Sequence, residues 1–187
     1  MTEETKGHPS FWDAIDDMDG ESEYKPLPED DYDFKVTNYT FGTSKPEKGG
    51  ELYCKAEYTV TNDRDGLHDG RKVWELIMLE GVGQDGRTKA FNLVRLLKAL
   101  RHYAELNQSP LEEDVIFPPY VNAETRLFDS PPVNEDGTKD SRIWDDYFGR
   151  LVGLHFFAKT KQKARSYTKD GETVNVVEDA IKAYITK

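Results

Sequence analysis

From His155 to Val177 the chain reads HFFAKTKQKARSYTKDGETVNVV. Lys159, Lys161, Lys163 and Arg165 fall on every second residue, and Tyr167 continues the row. A period of two is that of an extended strand, which sends alternate side chains to opposite faces. Asp170-Gly171 then supplies a dipeptide that tolerates positive φ in a tight turn, and a second strand-like run follows. The stretch predicts two antiparallel strands with four cations leaving one face. Like charges in a row repel and contribute nothing to folding, so a polyanion lying along them gives the row a purpose. A lysine-rich edge strand that resists pairing with other chains produces the same pattern.

The net charge of −11 argues against a polyanion binder until it is divided along the chain. Residues 1–33 hold twelve acids against Lys6 and Lys25, a net of −10. Residues 150–187 hold eight bases and four acids, a net of +4. The acidity is concentrated in a leader and the closing strands are basic, so the asymmetry is more informative than the total. A length of 187 residues suits one domain with a proper core. A hydrophobic share of 36 % is low for a compact body, which implies that part of the chain lies outside it.

Residues 1–31 read as a largely flexible acidic arm. Within it Phe11, Ile15 and Met18, with the neighbouring Trp12, suit one face of a short amphipathic helix that Ser10 would cap. Such an element docks on partner proteins, or folds back onto a basic groove of its own chain. A solvated tail whose aromatic residues cap the body is the plainer reading.

Residues 32–187 read as the folded domain. Tyr32 to Phe41 predicts a first strand, with a bulge near Thr37-Asn38 needed to return Tyr39 and Phe41 to the side of Phe34 and Val36. Gly42 to Gly50 is a polar loop carrying Lys45 and Lys48. In strand two, Leu52, Cys54, Ala56, Tyr58 and Val60 alternate with Tyr53, Lys55, Glu57 and Thr59. Arg71 to Leu79 is a third strand, and Thr88 to Glu105 carries the leucine stripe of one main helix. Residues 107–149 show no sustained period and five prolines, which predicts a long loop insertion. The basic hairpin closes the chain. Five strands with a helix between the third and fourth is the order of an OB-fold, a small Greek-key barrel whose strands two and three and loops one–two and four–five surround an oligonucleotide groove.

The lead-in YKPLPEDDYDFKV (Tyr24–Val36), TSK (Thr43–Lys45), GRKVWELIML (Gly70–Leu79), the leucine-rich helix and FGRLVGLHFFAKTKQKA (Phe148–Ala164) resemble a family of small phage proteins with an OB-fold, associated with single-stranded-DNA binding. The resemblance spans residues 24–106 and 148–187, and none of its pieces is as specific as a zinc site or a phosphate loop. The insertion at 107–147 and the apolar Val174-Asn175-Val176 depart from the pattern. The resemblance implies a helper of phage replication or recombination in the cytoplasm of the infected bacterium.

A binder of unpaired strands needs cations along the backbone and flat rings on which bases stack. The expected nucleic-acid contacts are Lys159, Lys161, Lys163, Arg165 and Tyr167, supported by Lys45, Lys48, Tyr53, Lys55, Arg71, Lys72 and Trp74. For Trp74 a core role competes with that of a stacking platform. Partner docking is expected at Phe11, Trp12, Ile15 and Met18. Catalytic readings find little: the four histidines lack metal spacing, and Cys54 stands alone, which also fits a reducing compartment. Asp63, Asp65 and Asp69 around His68 lack the calcium-loop pattern and read as turn acids. No apolar run reaches membrane-spanning length and no signal-peptide pattern opens the chain. The expectation is a non-enzymatic binder of single-stranded DNA, with no cofactor or metal and no membrane partner. DNA versus RNA and the number of copies in an assembly stay open. A protein-interaction module without a nucleic-acid role is the alternative.

Overall fold

The computed structural model describes residues 26–63, 65–112, 115, 117–122, 127–169 and 171–186. The element proposed around Phe11, Trp12, Ile15 and Met18 lies outside the described residues. In chain order the elements are β1 (Asp31–Thr43), β2 (Leu52–Thr61), β3 (Lys72–Met78), α1 (Phe91–Leu106), α2 (Arg142–Leu151), β4 (His155–Lys169) and β5 (Glu172–Tyr184). The protein is mainly β. Its strands form one antiparallel sheet in the order β3-β2-β1-β4-β5.

The alternation of β2 works as its sequence dictates. Leu52, Cys54, Ala56, Tyr58 and Val60 are buried, and their neighbours turn to the opposite face. Val36 pairs with Tyr58 and Asn38 with Glu57, so Thr37 is the extra residue of a bulge. Beyond it Tyr39 and Phe41 pair with Ala56 and Cys54 on the core side, where without the bulge they would face away. Phe34, Tyr58 and Phe156 meet at ring separations of 4.9–6.4 Å in the middle of the core.

The edge strands β3 and β5 share no backbone ladder among the described residues. Side chains connect them instead. The Tyr184 hydroxyl donates to the Glu75 carboxylate, the Tyr58 hydroxyl donates to the same oxygen at 3.1 Å, and the two hydroxyls lie 3.1 Å apart. Near the start of β3, Arg71 reaches Asp179 of β5 at 3.3 Å, and the other oxygen of Asp179 accepts from the Leu27 amide at 2.7 Å.

Among the described residues α2 is a helix beyond the one that was expected, and this corrects the reading of 107–149 as loop throughout. Trp144, Tyr147, Phe148 and Leu151 fall at i, i+3, i+4 and i+7 and are all buried. Trp144 stacks on Phe128 at 6.1 Å, and the Tyr147 hydroxyl donates to the Val115 carbonyl at 2.8 Å. The insertion is also tied to the end of β3. Lys139 pairs with the buried Glu80, whose Oε1 accepts from the Leu52 amide at 2.5 Å. Burial pushes the Glu80 carboxyl up, yet the bonds from Lys139, Ser130 and Leu52 outweigh it and hold the group below its ordinary value.

Helix α1 begins at Phe91, three residues later than its pattern suggested, because Thr88 forms a bridge with Val82 and its hydroxyl accepts from the Ala90 amide. Gly81, at φ +91°, starts this small ribbon. A Cβ there would lie 2.4 Å from the Glu51 carboxylate, which is paired with Lys89 at 2.5 Å. Among the described residues no helix is long and apolar enough to cross a membrane.

Candidate nucleic-acid interface

Strand β4 pairs with β1 only from His155 to Lys159. Beyond Thr160 its only ladder partner among the described residues is β5, and residues 161–166 are exposed on both parities. The hairpin therefore runs on past the body as a two-stranded ribbon. At its base Lys159 faces Ala183 and Thr160 faces Ile181, which leaves Lys182 as an extra residue on β5. Because the extra residue sits on β5, the alternation of β4 is unbroken. Lys159, Lys161, Lys163, Arg165 and Tyr167 share one face, with neighbours in the row about 6.8 Å apart.

The charges in the row differ in their surroundings. Lys159 lies 3.7 Å from Asp31, and Arg165 pairs diagonally with Glu178 at 3.1 Å. Lys161 and Lys163 are exposed and have no acid partner among the described residues. Lys161 faces Ala180, and Tyr167, half-buried, faces Val174. Exposed ion pairs such as Arg165–Glu178 are weak in water and exchange readily for a phosphate partner.

The remaining expected contacts gather elsewhere. Tyr53 faces Met78, Lys55 faces Leu76 and Glu57 faces Trp74, all on the face of β2–β3 turned away from the core. Trp74 is half-buried there and its indole donates to Glu57 at 3.2 Å. Glu57 also pairs with Lys72 at 3.1 Å. The ring tip of Tyr53 lies against Gly42, where a Cβ would come within 2.5 Å of its hydroxyl oxygen. Lys45 is exposed in the β1–β2 loop beside Glu47, and the Lys48 side chain lies outside the described residues. Arg71, bound to the buried Asp179, serves the fold.

The β2–β3 cluster and the hairpin row share a sheet face by register, but they do not form one unbroken basic strip. Between them stand Asp31, opposite Lys159, and Asp33, opposite Phe157. Asp33 is nearly covered: Tyr103 of α1 donates to it at 3.1 Å and His155 Nδ1 lies 3.1 Å from it. Tyr103 also stacks on His155 with ring centroids 5.5 Å apart.

Sequence reasoning missed the cations that α1 adds. Arg95 and Lys98 are exposed, Lys182, in an exposed ion pair with Glu29 at 3.0 Å, flanks Lys161, and Arg87 extends from the ribbon before the helix. Their signal was Phe91, Arg95 and Lys98 at i, i+4 and i+7, a second stripe beside the leucines.

The other candidates resolve into structure. Asp69 accepts from the Asp63 amide at 2.8 Å and Asp63 from the His68 amide at 3.1 Å, so two of the turn acids hold the β2–β3 turn. Cys54 is wholly buried, and burial pushes its thiol far up. Among the described residues no group of three or more His, Cys, Asp or Glu is arranged to hold a metal ion. The chain matches no protein-family model and no curated protein.

Proposed function

We propose that the protein binds single-stranded DNA through the basic face of the β4–β5 hairpin, coating unpaired strands with little sequence preference. The observation that carries this reading is the pair Lys161 and Lys163: exposed, adjacent on one face, and without an acid partner among the described residues in a chain of net charge −11. Unpaired cations in a row gain most from a ligand with regularly spaced negative charge, and binding releases counterions condensed on that ligand. Tyr167, which continues the row, would add stacking surface.

The same reading takes the sheet as an OB-type barrel. Its ladders run β1 to β2, β2 to β3, β1 to β4 and β4 to β5, and side chains bridge β3 and β5. The resemblance to phage proteins of replication and recombination supports a helper role in the infected bacterial cytoplasm, without catalysis, in which the acidic arm recruits partner proteins.

Retention on immobilised single strands, compared with duplex, tests the proposal. Preferential single-strand retention that salt abolishes supports it. Passage through both columns contradicts it and favours a protein-interaction module.

A further inference from the structure

Two open depressions border the first turns of α1, and Arg95 lines both. The larger, about 440 Å3, is lined in part by Arg87, Phe91, Val94, Arg95 and Lys98. The smaller, about 210 Å3, lies where α1 meets the base of the hairpin and includes Asn92, Arg95, Lys161, Lys182 and Tyr184, with Glu75 as its acid.

The leucine stripe of α1 faces the core with Leu93, Leu96 and Leu100, which turns Phe91, Arg95 and Lys98 outward together. Phe91 is 51 % exposed. The Arg95 guanidinium lies 5.2 Å from its ring centroid. Among the described residues no carboxylate lines the larger depression. The one ion pair there among the described residues is the exposed, solvent-screened contact of Arg87 with Asp85 at 3.8 Å. Three cations around a half-exposed aromatic ring that Arg95 covers on one face, on a chain of net charge −11, combine the two elements that hold unpaired nucleotides.

We propose that this face of α1 is a second segment of the strand path, an inference that rests on the single-strand reading above. A base stacks on Phe91, the adjoining phosphates lie against Arg87, Arg95 and Lys98, and Lys161 with Lys182 leads the strand from the helix to the hairpin. The path thus turns away from the Asp31–Asp33 barrier that separates the hairpin from Trp74.

The test is anisotropy of a fluorescein-labelled 25-mer of thymidylate with the full chain, across a salt series. Phe91→Ala should weaken binding about tenfold while leaving the salt slope unchanged, since one stacked base is lost and no charge. Phe91→Leu, which keeps apolar volume at the helix start, should also weaken it. The triple variant Arg87→Ala, Arg95→Ala, Lys98→Ala should flatten the slope of log K against log salt by about 2. If these variants bind like wild type while Lys161→Glu with Lys163→Glu does not, the path is confined to the hairpin; this inference then fails and the single-strand reading stands. If wild type shows no salt-sensitive binding, both fall.

Discussion

The Tyr184 hydroxyl of β5 donates to the Glu75 carboxylate of β3, so the two edge strands of the sheet meet through one acid. Burial raises the Glu75 carboxyl above its ordinary value, and the bonds from Tyr184 and Tyr58 and the charge of Arg95 only partly offset it. An acid at this seam is costly in isolation and specific in company: it fixes which residues of the two edges face each other.

Glu75 makes stability depend on pH in a defined direction. A carboxyl raised on folding binds its proton more tightly in the folded state. Its contribution is therefore greatest below the unfolded value of about 4.5 and is lost as pH rises through the folded one. Glu75→Gln should be more stable than wild type at pH 8, with the advantage shrinking on acidification, as read from urea midpoints between pH 4 and 8. Tyr184→Phe, which removes a bond to a charged group, should cost about 1.5–3 kcal/mol at neutral pH. A Gln variant less stable than wild type at pH 8 would contradict the account of the seam.

Glu80 works in the opposite sense. Its carboxyl is held low, so the stability that it contributes is present at neutral pH and lost as pH falls through its folded value. Lys139→Ala leaves a buried carboxylate without its cation and should cost about 3–5 kcal/mol. Adding Glu80→Gln should recover much of that loss. Denaturation of the two single variants and the double variant measures the coupling, and an additive cycle would mean that the insertion is not anchored through this pair.

How much of this was legible in the sequence follows from the length of each signal. The strands and their faces were readable because β2 and β4 keep a period of two over ten or more residues, and the misplaced parity of Tyr39 and Phe41 announced the bulge. Helix α2 was hidden by its brevity. Ten residues bounded by a proline-rich stretch give two to three turns of period, and the half-exposed Ile143 blurs the contrast between its faces. Ion pairing was the least readable. Nothing in the local sequence of Arg71 or Lys72 shows that Asp179 and Glu57 answer them across the fold. For the same reason Arg95 and Lys98 read as ordinary helix surface until Lys161 and Lys182 stood beside Arg95.

A deletion that tests the acidic arm has to spare the residues after it that pack on the sheet. Leu27 is fully buried and its amide is bound to Asp179, so residues 1–25 are the segment to delete. They carry eight acids and two bases. If the arm competes for the basic face, its deletion should tighten binding to a thymidylate oligomer several-fold at low salt and little at high salt, since screening removes the competition. Unchanged or weaker binding at low salt would remove self-competition and leave only a partner-docking role for the arm.

In the proposed function the hairpin row binds the backbone of an unpaired strand. Titration of labelled poly-thymidylate with wild type and with Lys161→Glu, Lys163→Glu, across a salt series, tests it most directly. Both lysines are exposed, so the circular dichroism spectrum should not change. The account predicts steeply salt-dependent binding by wild type, with at least tenfold weaker binding by the variant at low salt and a slope shallower by about 1.4. Wild type that ignores the strand, or a variant that matches wild type in affinity and slope, would contradict it.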